Sequence, residues 1–355
     1  MIFASSYLDC QGNAPKVTFN SNSISTTIHL SRLPPGRSRS TEEIMANVAK
    51  TLALNLLLLC CASTAAFPAA SDSTLNTQAV RTIGGYLMIV AVSIDGRGPY
   101  DFLVDTGTNT TLIDPALATE LNLKAKGRLQ LASLGSAADV PRYFLQTFKV
   151  GPVSVSNMEV LAVPLTQLTA LDSSIRGILG MNFLLHFSFG LDYDRQTLTL
   201  FSPEATQAPA GLRVPVEINE SRLLIRVESK AAHGGSWKLA LDSGISQFLV
   251  FQDRIAPASG GPGSCGQEQC LMQVSTNLAE HSAATVSAYD VTIAEAQLPK
   301  TQIVVLRNDL LSPSDPQDGL LPAAPFHSVF FDRSTASIVF TPSPGAMALA
   351  ALQAR

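Results

Sequence analysis

Short runs of alternating or continuous apolar residues, broken by Gly, Pro, Asn and Asp, recur from residue 87 to residue 340. A period of two punctuated by turn formers predicts strands. The first series is Leu87–Ile94, Tyr100–Val104, Tyr143–Val150, Met158–Val163 and Thr197–Phe201. A second series comprises Leu223–Val227, Trp237–Leu241, Phe248–Phe251, Val286–Ile293, Gln302–Leu306 and Ala336–Phe340. Helical candidates are few and short, at Pro115–Leu121 and Pro164–Leu171. The chain reads as mostly strand.

The two series are copies of one another. Leu87–Gly107 aligns without a gap on Leu224–Gly244 at a constant offset of 137 residues. Gly177–Phe183 then corresponds to Gly319–Phe326, and Leu191–Phe201 to Val329–Phe340, placing Asp194-Arg195 over Asp332-Arg333. Matched blocks in the same order point to one duplication. It divides the chain into a first lobe at 81–203, a linker at 204–220 carrying Ala and Pro, a second lobe at 221–342 and a tail at 343–355.

Composition narrows the function classes. The 355 residues are 46% hydrophobic and 15% charged, which permits a sizeable core and excludes a solvating, disordered chain. A net charge of −4 and 6% aromatic residues leave neither a basic stripe nor a stacking surface for nucleic acid. Met45–Ala66 has the layout of a secretory signal peptide: Lys50, an apolar run from Leu52 to Cys61, then small residues. That run is short of the ~20 residues a membrane span needs, so export to the periplasm or the medium is expected rather than anchoring. Residues 1–44 precede the signal, lack periodicity and are read as disordered or as a mis-assigned start, with Met45 the true one. Of five cysteines only Cys265 and Cys270 survive such processing, and a local disulfide is expected between them in an oxidising compartment. The five histidines show no paired spacing, so no metal site is expected.

The repeated chemistry lies at the end of one apolar strand in each copy: Phe102-Leu103-Val104-Asp105-Thr106-Gly107 and Leu239-Ala240-Leu241-Asp242-Ser243-Gly244. A single Asp after a strand is ordinarily a turn former whose carboxylate accepts nearby N–H groups. Two at equivalent repeat positions can instead meet. Carboxylates about 3 Å apart cannot both ionise cheaply, so they share a proton and titrate as a unit. One member then serves as general base on a water held between them, and the other, protonated, donates to a carbonyl oxygen. Thr106 and Ser243 can lock the two loops by their hydroxyls, and Gly107 and Gly244 permit close approach.

In these motifs, in Ile178-Leu179-Gly180 about seventy positions later and in the Asp-led strand pair that follows, the chain resembles aspartic peptidases of the retropepsin/pepsin type. The resemblance covers roughly residues 81–342. It implies a bilobal all-β acid-protease fold, a cleft for an extended peptide and no metal or organic cofactor. It implies that Asp105 and Asp242 are catalytic, that Thr106, Gly107, Ser243 and Gly244 lock the loops, and that a fused duplication works as a monomer with an internal two-fold. It also implies a substrate-covering flap near Gly135, Ser136 and Ala137, with a counterpart near Asn277–Ala284. The second copy departs from the pattern: Ile245 stands where the first has Thr108, and Leu320-Leu321-Pro322 lacks the final Gly. The expected activity is endopeptidase cleavage; the alternative is a catalytically weak or inert module that keeps the peptide cleft.

Overall fold

The computed structural model describes residues 2–5, 74–133, 136–203, 208–229, 235–251, 271–276, 280–306 and 316–342. The expected signal segment, Cys265, Cys270, Gly135 and the tail at 343–355 lie outside the described residues.

The first lobe is built on a closed ring of six strands. These are β4 (Leu87–Ile94), β5 (Arg97–Val104), β10 (Ile175–Leu179), β6 (Leu112–Ile113), β9 (Val153–Ala162) and β8 (Ser136–Val150), with β8 pairing back to β4. Two edge strands extend it, β3 (Arg81–Ile83) beside β4 and β7 (Arg128–Ser133) beside β8. Alternation sets the faces: in β4, Ile94, Val92, Val90 and Met88 enter the main core, while Ile89 and Leu87 join a second apolar cluster with Leu103, Val140 and Ile178. Three short helices fill the connections, α1 (Pro115–Glu120), α2 (Thr166–Leu171) and α3 (Met181–Leu184). Helix α1 begins where its sequence says it should, with Pro115 in the first turn and the Asp114 carboxylate accepting the Ala116 N–H at 2.7 Å.

The second lobe repeats the ring. Strands β15 (Arg222–Ser229), β16 (Gly235–Asp242), β21 (Gly319–Pro322), β17 (Phe248–Phe251), β20 (Ala296–Leu306) and β19 (Glu280–Ile293) follow the same order, and β19 closes on β15. The strand directions match as well: β5 and β10 are parallel, as are β16 and β21, and so are β6 and β9, as are β17 and β20. Strands β18 (Leu271–Thr276) and β14 (Glu217–Asn219) are this sheet's counterparts of β7 and β3, and β1 (Ile2–Ser5) pairs antiparallel with β18.

A six-stranded sheet joins the lobes: β13 (Leu212–Pro215), β23 (Ser337–Pro342), β22 (Phe326–Asp332), β11 (Ser188–Asp192), β12 (Thr197–Phe201) and β2 (Thr74–Ala79). Its centre pairs one strand from each half, Phe189 opposite Phe331, and their rings lie 5.4 Å apart. The result is a bilobal all-β protein with few short helices. Three sequence expectations change in detail. The first lobe's strands begin at Thr74 rather than residue 81, because the polar strand β2 pairs with β12. The segment 204–220 is not all linker, since β13 and β14 occupy 212–215 and 217–219. Ile2–Ser5, within the stretch expected to lack structure, is a strand.

Candidate active site

Both aspartates arrive at the end of a buried strand. Asp105 follows β5 directly, and its N–H donates to the Leu179 carbonyl at 3.0 Å. Asp242 is the last residue of β16, and its carbonyl accepts the Ala323 N–H at 3.1 Å. The apolar strands that carry them are parallel neighbours of β10 and β21.

Reciprocal hydrogen bonds then tie loop to loop. The Thr106 N–H donates to Ser243 Oγ at 3.1 Å, and the Ser243 N–H donates to Thr106 Oγ1 at 3.0 Å. Each hydroxyl donates in turn to the other lobe's backbone, Thr106 to Leu241 O at 3.0 Å and Ser243 to Val104 O at 2.9 Å. Both residues are buried. Four bonds at Thr106 and Ser243 therefore cross between the copies.

The same bonds bring the carboxyl groups together. Asp105 and Asp242 are buried, and their side chains are hydrogen-bonded to each other. A Cβ on Gly107 would fall 2.3 Å from Asp242 Oδ2, and one on Gly244 would fall 3.2 Å from Asp105 Cγ. Only glycine leaves room for the opposing carboxylate. Burial first, and then the charge of Asp105, push the Asp242 carboxyl up to about 8, while the Gly244 N–H, 2.7 Å from Oδ1, pulls the other way. Both causes favour the protonated form of Asp242 beside Asp105.

The two carboxyls are not equivalent. Asp105 accepts the Gly107 N–H on Oδ1 at 2.8 Å and the Thr108 hydroxyl on Oδ2 at 2.6 Å. At the Thr108 position the second copy has Ile245, which is buried and can donate nothing. The other departure is compensated. In the first lobe the Gly180 N–H donates to Thr111 Oγ1 at 3.1 Å, and a Cβ on Gly180 would lie 2.8 Å from Thr108 O. In the second lobe Pro322 has no N–H to offer, and the residue equivalent to Thr111 is Phe248, buried and without a hydroxyl. A hydrogen-bonded pair has been exchanged for an apolar one, and β21 keeps its register with Asp242 opposite Pro322.

Each lobe also carries a strand hairpin at the position expected for a flap. Strands β7 and β8 pair from Arg128 opposite Pro141 to Ser133 opposite Ser136, with Ala137 opposite Ala132. The hairpin lies where the first flap is expected, and residues 134–135, with Gly135, lie outside the described residues. Strands β18 and β19 form the second, with Ser275 opposite Glu280. Tyr143 and Tyr289 lie on strands β8 and β19, away from the turns, as read from the sequence.

Two tyrosines near the dyad were not singled out by sequence. Burial first, and then the charge of Asp242, raise the Tyr86 hydroxyl above its ordinary value, while the nearby Ser246 side chain pulls the other way. The Tyr193 hydroxyl is buried without a hydrogen-bond partner, and burial together with the charges of Asp242 and Asp105 holds its proton firmly in place. The repeat itself carried the signal, because the equivalents of Tyr86 and Tyr193 are the apolar Leu223 and Phe331. Arg195 makes a local ion pair, 2.9 Å from Asp192. Among the described residues no group of three His, Cys, Asp or Glu is placed to hold a metal, and no helix is long and apolar enough to cross a membrane.

Residues 90–183, which carry Asp105 and the whole of β5 to β10, match the family described as aspartyl protease. That match lies wholly within the first lobe. The protease match ends at α3, and the second lobe is joined to it by the repeat of ring order and loop-locking bonds. Among solved structures, the chain is similar to an aspartic proteinase from Irpex lacteus at 12% identity, covering 77% of this chain and 98% of that one with a TM-score of 0.47. It is also similar to a retropepsin-like aspartic protease from Rickettsia conorii at 19% identity, covering 36% of this chain and 89% of that one with a TM-score of 0.27. No curated protein matches the sequence.

Proposed function

We propose that the protein is an exported aspartic endopeptidase, acting as a monomer, that hydrolyses peptide bonds with a water held between Asp105 and Asp242. The observation that supports this best is the set of four crossing bonds that brings two buried carboxyls together, with burial and the charge of Asp105 pushing Asp242 toward its protonated form. Nothing in a purely structural turn requires that arrangement, which costs two desolvated acids.

The inequality of the acids divides the roles. Asp105, which accepts a bond on each oxygen, is the general base that removes a proton from the water. Asp242 is the acid, and its proton passes to the substrate carbonyl oxygen as the water oxygen bonds to the carbonyl carbon. The tetrahedral intermediate carries two hydroxyls. Its collapse returns one hydroxyl proton to Asp242, while the proton held by Asp105 goes to the departing nitrogen, so that the C–N bond breaks and the dyad is restored. The hairpin β7–β8, with Ser136 and Ala137 beside its turn, would cover an extended peptide, and the apolar residues beneath it favour apolar side chains on either side of the cleaved bond.

The test is cleavage of a peptide library by the purified full chain and by Asp105→Asn and Asp242→Asn variants. The proposal expects each substitution to abolish turnover while leaving the melting transition cooperative. Turnover that survives either change would remove the dyad mechanism. Peptide binding without turnover in the unaltered protein would favour an inert module.

A further inference from the structure

We propose that Asn182 is a positioning residue for Asp105, holding the loop that presents the Thr108 hydroxyl to its carboxylate. This rests on the dyad reading above and adds a side chain that lies outside both aspartate motifs.

The Asn182 side chain joins the loop after Asp105 to a strand and a helix. Its Oδ1 atom accepts the Thr111 N–H at 2.8 Å and the Thr111 hydroxyl at 2.7 Å. Its Nδ2 atom donates to the Glu159 carbonyl of β9 at 2.8 Å. The Thr111 N–H can only donate, so the amide oxygen has to face the loop and the nitrogen the strand. Thr111 is fully buried, and its Oγ1 atom also accepts the Gly180 N–H. Helix α3 takes up the other end of the loop with its first two free donors: the Met181 N–H donates to Thr108 O at 2.8 Å, and the Asn182 N–H to Asn109 O at 2.9 Å. The segment from Thr108 to Thr111 is thus held along its length, and Thr108 donates from it to Asp105 Oδ2 at 2.6 Å.

The second lobe makes the same ring of strands without this clamp. Phe248 stands at the Thr111 position and Pro322 at the Gly180 position, and only Ala323, Ala324 and Pro325 separate Pro322 from Phe326. The strand order therefore does not call for the amide. It occurs in the lobe whose aspartate accepts a bond on each oxygen and takes the part of the base. Without it, two donors of Thr111 and the Glu159 carbonyl lose their partner, and the loop gains freedom to carry Thr108 away from Asp105.

The test compares the full chain with Asn182→Ala, Thr111→Val and Thr111→Ser. The first readout is amide exchange at Gly107, whose N–H is bonded to Asp105, with Gly244, bonded to Asp242, as the internal control. Asn182→Ala should speed exchange at Gly107 about tenfold relative to Gly244. Thr111→Val keeps the shape and loses the hydroxyl, and should raise that ratio about threefold or more. Thr111→Ser loses a methyl group and keeps the hydroxyl, and should leave the ratio as it is. A packing role predicts the opposite order, with serine worse than valine. In a Thr108→Val background, where the tether to Asp105 is already gone, Asn182→Ala should change the ratio no further. The second readout is peptide cleavage, where Asn182→Ala should lower kcat about tenfold with KM little changed, as expected when a reacting group is displaced. An unchanged ratio in Asn182→Ala, equal acceleration at Gly107 and Gly244, or a larger effect of serine than of valine would overturn the inference. Exchange decides the matter even if no peptide is cleaved, an outcome that would count against the proposed function instead. The two Thr111 variants keep the test available should Asn182→Ala fail to fold.

Discussion

Replacing Thr106 by Val removes one hydroxyl from the junction of the lobes and almost nothing else, since the two side chains have the same shape. The hydroxyl accepts the Ser243 N–H and donates to the Leu241 carbonyl, both at 3.0 Å. Thr106 is 1% exposed, so water cannot replace either bond while the loops stay in place. Each buried backbone group left unpaired costs about 1–3 kcal/mol, and two give about 2–6 kcal/mol. For a domain of this size, where each kcal/mol moves the melting point by about 2–4 °C, Thr106→Val should lower Tm by roughly 5–20 °C in calorimetry. Ser243→Ala removes the other two crossing bonds and should cost a similar amount. The double variant should fall short of the sum, because loops freed by the first change can admit water before the second is made. A Tm within about 1 °C of the unaltered protein for both single variants would show that the junction does not hold the lobes together.

Further expectations come from the same geometry. Asp242 is raised above its ordinary value, so from the unfolded value near 3.8 to the folded value near 8 the native state keeps a proton that the unfolded chain has released. Stability should therefore decline as pH rises through that window and level off above it; Asp242→Asn should flatten the decline and be the more stable protein at alkaline pH in denaturant titrations. In peptide cleavage, kcat/KM of the unaltered protein should fall as the pair loses its proton on the alkaline side. Gly107→Ala would place a Cβ 2.3 Å from Asp242 Oδ2, and the displaced carboxyl should cost about a hundredfold or more in kcat/KM with the fold retained by circular dichroism. Tyr193→Phe, which copies Phe331 of the other repeat, deletes a buried hydroxyl without a partner and should raise stability by about 1 kcal/mol in thermal melts.

Much of this was legible in the chain itself. Strands β4, β12 and β17 end where the apolar runs end, because both faces or one clear face of each is buried. The pairing of Asp105 with Asp242 followed from an offset that also set the loop-locking bonds. Other elements had no local signal. Strand β2, Thr-Leu-Asn-Thr-Gln-Ala, is a polar edge strand held by pairing with β12, and β13 sits among prolines that read as linker. Their order comes from partners more than a hundred residues away, which no window of sequence contains. The Gly180 and Pro322 difference looked like a loss because its compensation, Thr111 against Phe248, lies on a different strand.

The central claim is that two buried carboxyls share one proton, and it can be read directly from the full chain labelled in its aspartate carboxyl carbons. Resonances assigned by Asp105→Asn and Asp242→Asn should move together in two steps, the upper one well above the range of ordinary aspartates. Two independent titrations near 3.8, each untouched by removal of the other residue, would contradict the account.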